Sequence, residues 1–374
     1  MRESIAPAEY HAKAARMKKL NFPLFFLLGF VCSTAFGTHI TDLGVLQVGD
    51  GEFSFPSAIN ESGQVVGTSR AADNEAHVFL YQDGHIIDLY PFGGLDSSII
   101  GINNAGQIAS GATATDGRYY PAILQHGNIH FLGSLGGSGS DGWTGTATAI
   151  SNNGKVAGYA RTENGENHAF LYDSGVMHDL GCGPNWVGPC FSYALDVNDH
   201  GQVVGVAGND GYHAFLYENG VMTLLDPFHS SGAQATAINN RGQVVGGCVL
   251  PDLVEGFIYE RGTLTGIIRK GSPYTFASGI NEKGQVVGGV LTNLNMLLPL
   301  TSKWTLPWAV GINNNGGSYQ QAILFENGVV IDLNTLLPPA SEWKLSWAVG
   351  INNNGRVTGF GVIHGHYHAF LLKR

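Results

Sequence analysis

The stretch Ala235-Thr236-Ala237-Ile238-Asn239-Asn240-Arg241-Gly242-Gln243-Val244-Val245-Gly246 decides the fold of this chain. Two short apolar runs are joined by Asn-x-x-Gly. Asn starts turns and Gly accepts a positive φ, so the string suits a type I turn closing a β-hairpin. The same string, Ile/Val-Asn-x-x-Gly, recurs at Ile59, Ile102, Ile150 (with Ser151 in place of Asn), Val197, Ile280, Ile312 and Ile351. Most copies lie roughly 40–50 residues apart, the length of a four-stranded propeller blade.

Two further strings follow each copy in order. His-Ala-Phe-Leu-Tyr stands whole at His168 and His213 and varied at His77, Pro121, Glu255, Gln321 and His368. Asp-Leu follows at Asp88, Asp179 and Asp332. Between them, Gln82-Asp83-Gly84, Glu218-Asn219-Gly220 and Glu326-Asn327-Gly328 carry the Asp-Gly or Asn-Gly pair of a two-residue hairpin. Each repeat thus parses into four strands, and the chain is predicted to be an all-β protein, a β-propeller of four-stranded antiparallel blades. Ile40 to Gly44 matches the fourth string and His368 to Leu372 the third, so the N-terminal strand is expected to complete the last blade and close the ring. Complete four-strand sets number seven, with 291–319 as an insertion or degenerate repeat; Asn-x-x-Gly strings number eight. Seven is the preferred count.

Composition agrees with this reading. The 374 residues include 54 Gly and only 13% charged residues, which suits short strands and tight turns and excludes long surface helices and disorder. A net charge of −10, without a basic stripe beyond the N-terminus, excludes nucleic acid as a partner. Residues 1–37 read as an export signal: Met17-Lys18-Lys19, the apolar run from Leu20 to Val31, then small residues, with Met17 as a possible true start. That run is too short to span a membrane, and no transmembrane segment is expected in the mature chain 38–374. The protein is expected outside the cytoplasm, in the periplasm, on the surface or in the medium, as a monomer. Cys182 and Cys190 bracket a short Gly/Pro-rich segment and are expected to form a local disulfide; Cys248, in an apolar run, reads as a buried small hydrophobe.

The strings A-x-x-I-N-x-x-G-Q-V-V-G, H-A-F-L-Y-x-x-G and D-L-G resemble the HAF repeat of extracellular bacterial proteins. The resemblance covers nearly everything after residue 37. It implies an exported repeat protein and carries with it no reaction, cofactor or ligand.

Residues present once per blade, including His77, His168, His213 and His368, are read as scaffold. Ligand contacts are expected where the repeat breaks. In an up-and-down blade the Asn-x-x-Gly and x-Asn-Gly turns lie on one face of the disc and the long loops on the other. Those loops hold Arg118, Tyr119, Tyr120, Trp143, Trp186, Tyr212 and Tyr274, the candidate ligand-binding residues. His364, His366 and His368 alternate along what reads as one strand face, a weak metal candidate because strand geometry spreads such side chains by nearly 7 Å. Asp196, in place of the usual Ala or Gly, reads as a solvated acid near the turn face, and the inner strands are expected to line a channel without acids. No catalytic constellation or cofactor motif is found. The function expected is an exported binding or adhesion module recognising a glycan or a surface protein. The alternatives are a polysaccharide-active hydrolase or lyase and a structural envelope protein.

Overall fold

A computed structural model describes residues 38–89, 101–183, 188–209, 211–251, 253–267, 274–291 and 320–374. The export signal at 1–37, Trp186, Asp210, the string at Ile312 and the insertion beyond residue 291 lie outside the described residues. These form 28 strands, which divide into seven blades of four. Blade 1 is typical: Ser54–Ile59, Val65–Arg70, Ala76–Gln82 and His85–Asp88 pair antiparallel in chain order. Blades 2 to 6 begin at Gly101, Gly145, Phe191, Gly232 and Tyr274. Blade 7 takes Lys344–Ile351, Val357–Ile363 and His366–Lys373 from the C-terminus and His39–Asp42 from the N-terminal end of the described chain. That last strand pairs antiparallel with the C-terminal one, His39 opposite Lys373 and Asp42 opposite Phe370.

The apolar side chains gather into seven cores, one at each joint between neighbouring blades. The joint between blades 7 and 1 has its own, in which Leu43, Ala369 and Leu371 meet Val65 and Phe79. The Phe of His-Ala-Phe is the centrepiece. Phe79, Phe170, Phe215, Phe257 and Phe370 are all 0% exposed, so the large aromatic side chain of the repeat is fully removed from water.

The turn string works as a two-sided clip. Asn60 Oδ1 accepts the Gln64 N–H at 3.0 Å and closes its own turn, and Gly63, at φ 88°, supplies the left-handed corner. Asn60 Nδ2 then donates to the Asn103 carbonyl of blade 2 at 3.0 Å. The same bond runs from Asn103 to Ser151, Asn198 to Asn239, Asn239 to Asn281, Asn281 to Asn352 and Asn352 to Asn60. Ser151 has no amide to give, and Asn153 Nδ2 donates to the Asp199 carbonyl in its place. The Gly of Gln-Val-Val-Gly has a different cause: a Cβ on Gly205 would lie 2.0 Å from the Tyr193 carbonyl of the inner strand.

The repeated histidines fasten the third strand to the fourth. His77 Nδ1 lies 2.9 Å from Asp88, His168 Nδ1 2.9 Å from Asp179, and His368 Nδ1 2.9 Å from Asp42. The Asp of Asp-Leu is therefore the partner of the His in His-Ala-Phe. His364 departs from the expected strand face. It sits in a left-handed turn (φ 50°) beside Glu342, while His366 opens the strand and His368 is held by Asp42 and Glu52, so the three imidazoles do not share one face.

Candidate functional site

Two surfaces of the ring carry chemistry. The first is the loop face. Its candidate residues divide by what they touch. Tyr274 is not a loop residue: it opens the inner strand of blade 6 and is 3% exposed. Tyr119 likewise lies in a strand, buried, with its ring over Gly111, where a Cβ would come within 2.4 Å of the ring. Both correct the expectation of loop-borne contacts, because the strand ends fill the blade edges with large side chains. Arg118 is exposed, and its backbone N–H donates to Asp116, whose other carboxylate oxygen accepts the Tyr120 hydroxyl at 2.9 Å. These donors hold the Asp116 carboxyl below the usual range.

Trp143 and Tyr212 are half-buried and form the ends of a continuous aromatic strip. Ring centroids follow one another from Trp143 to Tyr159 (5.7 Å), Tyr193 (4.7 Å), Phe191 (5.4 Å) and Tyr212 (5.3 Å). The strip runs along the loop-face ends of blades 3 and 4, and all five rings are half-exposed. Sequence reasoning named its two ends and missed Tyr159, Tyr193 and Phe191, which lie in strands. The signal available was positional. Tyr159 follows the Gly of the second strand, as Phe360 does in blade 7. Tyr193 occupies the inner-strand position filled by Phe55, Phe276 and Trp347 in blades 1, 6 and 7, so the aromatic positions were readable by aligning the repeats.

The second surface is the turn-face mouth of the channel, a polar cavity of about 200 Å³. Its rim is a closed circuit. The residue after each turn Asn donates its backbone N–H to the matching side chain of the next blade: Glu61 to Asn104, Asn104 to Asn152, Asn152 to Asp199, Asp199 to Asn240, Asn240 to Glu282, Glu282 to Asn353, and Asn353 to Glu61. Seven bonds return to their starting point. Each side chain is an acceptor for a backbone donor, which explains why only Asn, Asp and Glu stand there.

Asp196 overturns its expected role. It lies in the inner strand Phe191–Val197 and lines the cavity, so the channel wall does carry an acid. Oδ1 accepts the Val197 N–H and Oδ2 the Ile238 N–H of blade 5, each at 2.8 Å. Burial pushes its carboxyl up to about 7, opposed by those two donors. Other blades have Ala or Gly at this position because the next inner strand crosses closely; a Cβ on Gly101 would be 2.9 Å from the Ala149 Cα. Asp196 reaches across that gap to a backbone donor while its side chain stays partly open to the cavity, so it is a half-buried, hydrogen-bonded acid and not a freely solvated one.

Cys182 and Cys190 form a disulfide, Cα atoms 5.9 Å apart, at the loop-face end of blade 4's inner strand; Cys248 is buried, and burial raises its thiol to about 11. Among the described residues no helix is long and apolar enough to cross a membrane.

No family model matches the chain, and no curated protein sequence matches it. Solved structures do. The β-propeller domain of the Trilobed protease from Pyrococcus furiosus is similar at TM-score 0.53 and 8% identity, over 87% of this chain and 94% of that one. Pyrococcus horikoshii acylaminoacyl peptidase is similar at TM-score 0.51 and 12% identity, over 86% of this chain and 51% of that one. A Mycobacterium tuberculosis puromycin-hydrolyzing peptidase reaches TM-score 0.50 and 14% identity, over 83% of this chain and 49% of that one. The chain spans about half the length of those two peptidases. At such identities the likeness concerns the fold alone, and with the seven blades described above it makes this chain a β-propeller.

Proposed function

We propose that the protein is an exported binding module, of the HAF-repeat kind, that recognises a glycan through its loop face. The observation that carries this reading is the aromatic strip from Trp143 to Tyr212. Sugar rings present flat apolar faces and polar edges, and half-exposed aromatic rings stack on such faces while their hydroxyls meet the edges. Tyr159, Tyr193 and Tyr212 supply hydroxyls along the strip, and Arg118 and Asp116 add charge on the neighbouring loop. A glycan array probed with the purified ring tests it. Saturable binding that weakens several-fold in Tyr193→Ala supports the reading; a saturable protein ligand with no glycan bound redirects it to surface-protein recognition. No saturable ligand of either class favours a structural envelope role.

One observation favours a second reading, a polysaccharide-active hydrolase or lyase. Asp196 lines the polar cavity at the channel mouth, and burial pushes its carboxyl up to about 7, in the range that suits general acid catalysis near neutral pH. Turnover of a polysaccharide panel, abolished by Asp196→Asn, would establish it.

A further inference from the structure

We propose that the protein, when its disulfide is reduced, binds one zinc ion through Cys182, Cys190 and His168. Among the described residues this is the one place where three potential ligand atoms from His, Cys, Asp or Glu fall within 4.8 Å of one another, two of them the bonded sulfurs of the disulfide. Two thiolates and one imidazole are three ligands of a tetrahedral zinc site, and water fills the fourth corner.

The geometry around His168 supplies the details. Its Nδ1 is 2.9 Å from Asp179, a bond that orients the ring and leaves Nε2 as the ligating nitrogen. Nε2 is buried and makes no hydrogen bond, while the Glu166 carboxylate stands 3.4 Å away. Asp179 then acts as the carboxylate behind a metal-bound histidine, the usual support for that ligand.

The other blades serve as internal controls. His77 has Asp88 on Nδ1 and Asp73 on Nε2, and His368 has Asp42 and Glu52 in the same places. The same imidazole between two carboxylates is thus built at least three times, and only in blade 3 do two sulfurs join it. The fastening is general to the repeat; the donor set is particular to His168.

The chemistry balances. A phosphine reductant breaks the S–S bond, each sulfur gains a proton, and the phosphine becomes its oxide with oxygen taken from water. Zinc then binds both sulfurs as thiolates and releases the two protons. Reoxidation by any disulfide-forming oxidant joins the sulfurs again and expels the ion, so the site reads the redox state of its surroundings.

The test uses the full chain, oxidised or reduced with a phosphine, equilibrated with zinc or with cobalt as a spectroscopic stand-in. The reduced protein is expected to hold one zinc per chain, and cobalt to show the near-ultraviolet band of thiolate ligation. The oxidised protein should hold at least tenfold less metal. Cys182→Ser/Cys190→Ser should lose the ion, His168→Asn should weaken it at least tenfold, and His77→Asn should leave it unchanged. Should the cysteine variant not fold, the cobalt band of the reduced natural chain still decides. No stoichiometric metal in the reduced protein, no thiolate band, or equal metal in the oxidised protein overturns the proposal.

Discussion

The two faces of the disc are built on opposite rules. On the turn face six blades repeat the same clip, and blade 3 replaces it with Asn153. Asn60, Asn103, Asn198, Asn239, Asn281 and Asn352 each clip one turn and reach the next blade, and seven acceptors close a circuit around the mouth. On the loop face the blades differ. Blades 3 and 4 share five aromatic rings, blades 7 and 1 share four (Phe53, Phe55, Phe360 and Tyr367), and the loop beside blade 2 carries the Asp116, Arg118 and Tyr120 group. A ring needs every joint to hold equally, so what repeats is what the joints require. What does not repeat is free to meet a ligand. Asp196 breaks this division, since it is a singular residue placed among repeated ones at the joint of blades 4 and 5.

The largest effect should come from opening the ring. Deleting residues 38–46 removes the outer strand of blade 7 and Leu43 from the core between blades 7 and 1. Loss of a cooperative melting transition is expected, while deleting an equal length of the loop at 133–142 should leave one. Next in size is Phe215→Ala. That ring is 0% exposed and its removal leaves a cavity, at a cost of about 3–5 kcal/mol by denaturant unfolding. Phe191→Ala, at the half-exposed loop end of the same blade, should cost well under half as much.

Asp196 sharpens the comparison through pH. Its folded-state pKa stands above the unfolded value, so its protonated form favours folding, and stability falls as pH rises from about 4 through 7. The cost saturates at no more than about 4 kcal/mol. Asp196→Asn should therefore abolish this slope between pH 4 and pH 8, at a constant cost of about 1 kcal/mol because its amide can accept only one of the two backbone N–H groups. A smaller slope of the same sign comes from the His–Asp fastenings. Burial opposes the charge on His77, but its bonds to Asp88 and Asp73 prevail and raise its pKa; His368 is raised by Asp42. Their contribution is complete below the unfolded value near 6.5 and is lost as pH rises through the folded value. His77→Asn should lower stability by about 1 kcal/mol at pH 6 and by less at pH 8.5.

Much of this was legible from residues alone, for a physical reason. Asn-x-x-Gly, Gln-Val-Val-Gly and His-Ala-Phe each meet a local requirement of turn, strand crossing or joint, and a local requirement leaves a local string. The fourth-string match at Ile40 identified the strand that joins the last blade. The partners of those strings were harder to see. That the Asp of Asp-Leu holds the His of His-Ala-Phe needs the pairing of third and fourth strands. The acceptor circuit at Glu61, Asn104, Asn152, Asp199, Asn240, Glu282 and Asn353 was hidden because three residue types serve one purpose. Tyr274 and Tyr119 misled because aromatics next to loops were read as loop residues, whereas strand ends bury them between blades. Asp196 misled because its partner, the Ile238 N–H, belongs to the next repeat.

The central claim is that ligand recognition belongs to the loop face and the repeated blade-to-blade hydrogen bonds to the turn face. It is tested most directly by measuring glycan affinity in two sets of variants whose melting temperatures are matched to the natural chain. Tyr193→Ala and Trp143→Ala remove rings from the strip, while Asn153→Ala and Lys283→Ala alter the turns of the opposite face. Loss of one stacking ring is worth about 1 kcal/mol beyond burial, so the first set should bind several-fold more weakly and the second set unchanged. Weakened binding in the turn-face set, with the strip variants binding as the natural chain does, would contradict the account.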